Sequence, residues 1–538
     1  MMGKYGKPDA RLRNGHDGLM ALCLKMSVKL RNAAVRDPSK SAELRKSGYR
    51  ALGNNTDMAD ANGHAAKSQT GFWALSEGEI AGLQRLIVLI LIASPAVFFI
   101  TAGSIGVKVF WALVIAYVVF GSRAPWPSLR SVGLWAALSI PVLAYFYVLS
   151  NGFYGTFFDW RKSEWLLYML AETEWPQAES DTVILRYYFG AYVFPALTNA
   201  LLGLGQPQIA FWIFFGMFFA LAVLVISTGR QLLLSVVFFS FFSGFDVIGS
   251  LLLDDKFYIG KHIEWWTGWG AIQFSSFGTN ILWVPQHFMP ALFAVALVLP
   301  GGQFRYRGLH AIGMAALPFW SPMVFLAAVL CLLPIVLLRA ENGVLKHFRT
   351  AWLDYVLGVI VFAALYAYIS MSLEQTTGWS VNGFSTTLLL FFVLEAGVLL
   401  GAMLLISKKF EAVDWTTLGT LTGCLMFITL VRFGTGNDLA MRSSSLALLL
   451  LAVLFLKHLP GAGTAWFPGA KVIVVVCLLV GAGTSGFEYY RQGVLERTSP
   501  HPFPKTYEEM ERYHRGPWYW QYHAEKSTIS RLLFGDRG

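Results

Sequence analysis

Three groups of residues in this sequence have the types and spacing to carry chemistry. Asp159 stands in FFDWRKSEWLLYMLAE, among aromatic residues and shortly after a long apolar run. A carboxylate at membrane-surface depth can deprotonate an acceptor hydroxyl as a general base, or hold a metal that neutralises a leaving phosphate. The same aspartate also fits as the N-cap of a helix starting at Trp160, since Asp is a preferred cap. Near the end of the chain, VRFGTGNDLAMRSSS gathers Arg432, Asn437, Asp438 and Arg442 around one short loop. Guanidinium forks match phosphate oxygens, which makes Arg442 and Arg432 candidates for gripping a lipid-linked phosphate. An Arg432–Asp438 or Arg442–Asp438 ion pair closing the loop accounts for the same residues.

The third group lies in LLLDDKFYIGKHIEWWTGWGAIQFSSFGTNILWVPQH. Asp254 and Asp255 offer hard oxygen ligands for a divalent cation such as Mg2+ or Mn2+, with His262 and His287 as imidazole donors nearby. Adjacent aspartates point in different directions on a helix, so a shared site there needs a loop. Trp265 and Trp266 can stack on sugar rings or serve as an interfacial belt. Gln286 and His287 fall inside the next apolar run, where polar side chains face a cavity or a neighbour rather than lipid. Together with Glu264 and with Tyr187 of ILRYYFGAY, these residues are expected to line a cavity opening outward. Glu395 and Asp246, each within an apolar run, also need polar partners, and the sequence identifies none.

The elements that must position these residues follow from composition. Of 538 residues, 55% are hydrophobic and 14% charged, where a soluble chain carries about 25% charged. That excludes a soluble enzyme, a nucleic-acid-binding domain and a disordered scaffold. The net charge of +10 needs no nucleic-acid partner, because Lys and Arg collect in the cytoplasmic loops of membrane proteins. The four cysteines form neither a disulfide framework nor a metal motif. Residues 1–80, with a dozen Lys and Arg in the first fifty and no apolar periodicity, read as a disordered cytoplasmic tail. Part of that tail is expected to reflect a start codon assigned too early, with Met58 as the alternative first residue.

Apolar runs long enough to cross about 30 Å of hydrocarbon begin at residues 83, 105, 132, 184, 208, 231, 279, 309, 351, 385, 415, 441 and 470. The run 309–338 carries FWSP in its middle and reads as two short helices. If every run crossed, with 309–338 crossing twice, Arg305, Arg307 and Arg339 would fall outside the cell. The run 184–204, with Arg186, Pro195 and Asn199, is therefore expected not to cross. The result is an all-α, polytopic membrane protein of about 13 transmembrane helices. Its N-terminus is inside, its membrane domain covers 81–486, its large outer loops are 151–207 and 253–278, and an outer tail covers 487–538. The basic loops hold no Gly-rich phosphate cradle, which argues against a nucleotide-driven pump.

In layout the sequence resembles the GT-C superfamily of membrane glycosyltransferases. The likeness rests on a large first outer loop with an acid near its start (Asp159), an LRYYFGAY element (Leu185 to Tyr192), acids opening the second outer loop (Asp254, Asp255), the FWSP hairpin and the NDLAMRSSS element. Two extra spans at the start, DDK in place of a spaced acidic pair and the lack of a WWD-type motif depart from the pattern. The resemblance implies a bacterial inner-membrane enzyme moving a sugar from a polyprenyl-phosphate donor to a glycan, lipid or protein acceptor. Asp159 would be its base, and Arg432 or Arg442 would contact the carrier phosphate. A surface-polysaccharide polymerase or ligase, and a transporter of lipid-linked sugars, are the alternatives. A transporter should show repeats and broken helices at mid-membrane.

Overall fold

A computed structural model of the chain describes residues 72–149, 158–172, 174–176, 183–253, 262–264, 272–339, 348–371, 379–433, 437–461, 463–495 and 523–535. All elements below belong to the unit Trp73–Gly538. The described residues are mostly helical, and among them ten helices are long and apolar enough to cross a membrane. The first, Glu77–Ala102, starts within the expected tail, because Ser76 and Glu79 close a reciprocal capping box around its exposed N–H groups.

The expected count of about 13 exceeds these ten because several apolar runs are not continuous long helices. Residues 105–121 form a 12-residue helix ending in a π turn. Residues 279–300 divide into Phe277–Leu282 and Pro285–Val298, since Pro285 can open a helix but cannot continue one. The FWSP run splits at Ser321 into Gly308–Ala315 with Leu317–Trp320, then Pro322–Arg339; the second arm is a full 18 residues rather than a short helix. In 184–204 the only helix is Val193–Leu202, about 15 Å long at 1.5 Å per residue and half of a crossing.

Two interruptions lie inside runs read as single spans. Leu232–Phe241 and Asp246–Leu253 are separated by an extended stretch at 242–245. Thr386–Leu405 is relaxed into a π turn at Val393–Gly397. The two breaks face each other: a Cβ on Gly244 would lie 2.3 Å from Glu395 Oε2, so no other residue fits without moving the acid.

Charge sorts to one end of the bundle. Arg130 pairs with Glu79 at 2.8 Å, Arg305 with Glu77 at 3.1 Å, and Lys457 with Asp414 at 2.8 Å. Arg230, Arg305 and Lys457 line one polar cavity with Glu77. At the far end of the Glu77–Ala102 helix, about 39 Å away, Ser104 donates to the carbonyls of Leu532 and Leu533. There the C-terminal strand His523–Glu525 pairs antiparallel with Val183–Leu185. Phe534 closes an aromatic group with Phe98, Phe99 and Tyr368. The strands Val183–Leu185 and His523–Glu525 therefore lie at the end of the Glu77–Ala102 helix opposite the basic end.

Candidate functional site

Residues 186–192 run from the strand Val183–Leu185 to the helix Val193–Leu202 and are held by the FWSP segment. The Gly190 amide donates to the Phe319 carbonyl at 2.9 Å, and its own carbonyl accepts from Ser94 Oγ at 2.8 Å. A side chain at 190 would drive into the Trp320 ring at 2.4 Å. Trp320 in turn is pinned by its indole N–H to the Leu91 carbonyl. Glycine and tryptophan at these two positions fix where the neighbouring tyrosines stand.

A polar group forms around them from four distant segments. Arg442 Nη1, from the first turns of Asp438–His458, donates to Tyr188 Oη at 2.7 Å, and its Nη2 pairs with Asp438 at 2.9 Å. The Tyr187 hydroxyl donates to that of Tyr188. His287 Nε2 lies 3.3 Å from Tyr188 Oη, and its Nδ1 lies 2.7 Å from Ser321 Oγ. Tyr368 donates to the Tyr187 carbonyl at 3.0 Å. Arg186 is 9% exposed against the same tyrosines. Its Nε has no hydrogen-bond partner, and it joins no ion pair among the described residues. Two guanidinium groups thus flank Tyr188, and among the described residues only Arg442 has a carboxylate.

A second group lies on the other side of the break at 283–284. Glu264 accepts from Thr279 Oγ1 at 2.6 Å, Gln273 Nε2 at 2.8 Å and the Ser276 amide at 3.3 Å. His262 Nδ1 meets Glu488 Oε1 at 2.9 Å, and Arg491 Nη2 donates to the other Glu488 oxygen at 2.6 Å. The His262 ring stacks on Trp283, and the Arg491 guanidinium sits 5.0 Å from that indole. Burial works against a charged imidazole, but the Glu488 carboxylate outweighs it and holds His262 above its ordinary value. Burial raises the Glu264 carboxyl above its usual range against the pull of His262.

Comparison with family models, curated proteins and solved structures found no match.

Of the residues singled out in the sequence, Tyr187, His287 and Arg442 come together in the first group, and His262 and Glu264 in the second. Gln286 is buried in the first turn of Pro285–Val298, and its Oε1 has no partner. The Arg442–Asp438 pair weighed as an alternative to phosphate binding is present. Arg432 sits on the strand Val431–Phe433, opposite Ser380, and not among the partners of Arg442 described above. Asp159 is the second residue of the helix Phe158–Glu172. The helix has already begun one residue earlier, so Asp159 belongs to its first turn rather than to a cap ahead of Trp160. One turn further on, Ser163 Oγ lies 3.1 Å from Tyr192 Oη, which docks this helix on the loop carrying Tyr187 and Tyr188. The Asp159 side chain, and Asp254, Asp255, Trp265 and Trp266 altogether, lie outside the described residues. Among the described residues no three His, Cys, Asp or Glu side chains form a metal-binding set.

Sequence reasoning missed four participants. Arg186 was weighed only for membrane crossing, and Tyr188 was passed over beside Tyr187. Glu488 and Arg491 follow the last apolar run and were assigned to the tail. Asp246 and Glu395, which lacked identifiable partners, are each other's: Asp246 is the strongest electrostatic neighbour of Glu395.

Proposed function

We propose that this chain is a membrane glycosyltransferase of the GT-C kind, moving a sugar from a polyprenyl-phosphate donor to a cell-envelope glycan, lipid or protein acceptor. The observation that carries this reading is Arg186, a buried guanidinium with no carboxylate partner among the described residues, beside a second guanidinium at Arg442. Burying a cation without a counter-charge is costly, and a ligand phosphate would supply the missing acceptor. The Tyr188 hydroxyl and His287 would complete its cradle.

In this reading Asp159 takes the proton from an acceptor hydroxyl. The oxygen attacks the anomeric carbon, and the carbon–oxygen bond to the phosphate breaks with its electron pair moving to the phosphate. That developing charge is met by Arg186 and Arg442. Single displacement inverts the anomeric centre. A divalent cation, held by Asp254 and Asp255, would stabilise the same charge. The basic end is cytoplasmic by the positive-inside rule. Counting the short arms 105–121, 277–298 and 308–320 as passes, about 13 passes put the site and the C-terminus outside a bacterial inner membrane.

The test is sugar transfer from a synthetic polyprenyl-phosphate sugar by purified protein. Arg186→Gln should raise the donor KM at least about tenfold, the loss of one charge-assisted hydrogen bond. An unchanged donor KM would refute the phosphate site. One observation favours a transporter of lipid-linked sugars instead: the broken helix at 242–245 with buried Asp246 beside it is a device of carriers. Movement of intact donor across proteoliposomes, with no transfer product, would select that reading.

A further inference from the structure

Several helix ends meet around the polar cavity of about 450 Å³ at the basic end of the bundle. Its walls come from the first turn of Glu77–Ala102, the last turn of Pro207–Ser227 with residues 228–231, the start of Leu232–Phe241, the turn 301–305 and the last turns of Asp438–His458. That volume is within the range of small-ligand sites. The lining carries three cations, Arg230, Arg305 and Lys457, and one carboxylate, Glu77.

The three cations are not equally committed. Lys457 is already paired outside the lining, with Asp414 at 2.8 Å and Glu411 at 3.3 Å. Arg305 Nη1 meets Glu77 at 3.1 Å, but the Glu77 side chain is 81% exposed; so exposed a pair contributes little and exchanges readily for a better anion. Arg230 is exposed and joins no ion pair among the described residues. Its neighbours Thr228 and Gln231 hold left-handed backbone, at φ 53° and 48°, which residues with side chains rarely adopt. The Thr228 carbonyl accepts from the Leu75 amide at 3.1 Å, so the turn bearing Arg230 is fixed against the entry to the first helix.

An independent observation points to a ligand. Ser235 is only 2% exposed and lines the same cavity, yet its hydroxyl has no hydrogen-bond partner among the described residues. A buried helical serine ordinarily donates to the carbonyl one turn back, as Ser240 does to Val236 at 2.8 Å. Two guanidinium groups and an uncommitted hydroxyl around one volume suit a group with three acceptor oxygens, which a phosphate has and a carboxylate has not.

We propose that this cavity binds a phosphate group, with Arg230 and Arg305 as its charged donors, Ser235 as its neutral donor, and Glu77 released from Arg305 on binding. The site lies at the end of the molecule opposite Arg186 and Arg442, uses none of their residues and does not rest on sugar transfer. The headgroup of an anionic lipid and a soluble phosphate compound present the same chemistry to it.

The test uses the full chain with two probes. Calorimetry in phosphatidylcholine nanodiscs reads pyrophosphate, and native mass spectrometry of the detergent-solubilised chain reads phosphatidic acid against phosphatidylcholine. One binding event of the parent should weaken at least about tenfold in Arg230→Gln and in Arg305→Gln, the loss of a charge-assisted hydrogen bond, and about two- to tenfold in Ser235→Ala. Phosphatidic acid binding alone assigns a lipid headgroup, pyrophosphate alone a soluble ligand, and both together the phosphate itself. Arg230 is exposed, so its replacement should leave the fold intact, with melting temperature as the check. Binding of neither probe by the parent, or undiminished affinity in any one of the three variants, would overturn the proposal. Sugar transfer is not read in this experiment, so its outcome leaves the glycosyltransferase reading untouched.

Discussion

Replacing Arg442 by lysine separates a phosphate clamp from a loop closure. The arginine spans two acceptors with separate prongs, Tyr188 Oη at 2.7 Å and Asp438 at 2.9 Å. An ammonium is a single point and cannot reproduce that planar fork. Asp438 lies one turn back on the same helix, so lysine should keep the carboxylate and release the tyrosine. One charge-assisted hydrogen bond amounts to about 1.5–3 kcal/mol, or roughly 10- to 150-fold at about 1.4 kcal/mol per decade. If the fork also positions a donor phosphate, that factor should enter the donor KM, with kcat falling less. The assay is a donor titration at saturating acceptor, with the melting temperature of each protein measured beside it. A variant with the parent's donor KM and a lowered melting temperature would show that Arg442 only closes its loop, and the clamp reasoning would fail.

Asp159→Asn keeps the size of the side chain and should leave the fold intact, while turnover drops about a hundredfold or more if the carboxylate is the base; near-normal turnover at unchanged stability would sink the assignment. A cysteine at exposed Arg531, in an otherwise cysteine-free chain, should react with a membrane-impermeant maleimide from the periplasmic side of intact cells; labelling only after the inner membrane is opened would reverse the orientation. The His262–Glu488 pair predicts a pH dependence. His262 is held above its ordinary 6.5, so its stabilisation is whole below that value and is lost as pH rises through the higher folded one. Melting temperature should therefore decline above neutrality in the parent and decline less in His262→Gln. Parallel profiles would remove His262 from that role.

The membrane class and most helices were legible because each apolar run states its own length and hydropathy. That 184–204 forms no continuous long helix was legible too, since Arg186 and Pro195 sit where a span tolerates neither well. Interruptions were not. The extended stretch at 242–245 follows from the packing of Gly244 on Glu395, a contact between runs far apart in sequence. Likewise Tyr187, His287 and Arg442 could be named as polar residues in awkward places. Their meeting depends on Gly190 seating against Trp320, which no local spacing encodes. The carboxylate partner of His262, Glu488, lies 226 residues away, on a helix whose last turns look like the start of a tail.

The pairing of His523–Glu525 with Val183–Leu185 has a consequence for how the protein is made. The strand that leads directly into Arg186 is made early, yet its ladder partner is made only after all the intervening helices. Until then Val183–Leu185 is an unpaired edge, open to mispairing, and the aromatic group lacks Phe534. The arginine–tyrosine site is therefore completed only after the intervening helices have been made, when the later strand docks. A fusion at the C-terminus, or proteolysis after the last span, would act on that docking step and leave the inserted helices as they are.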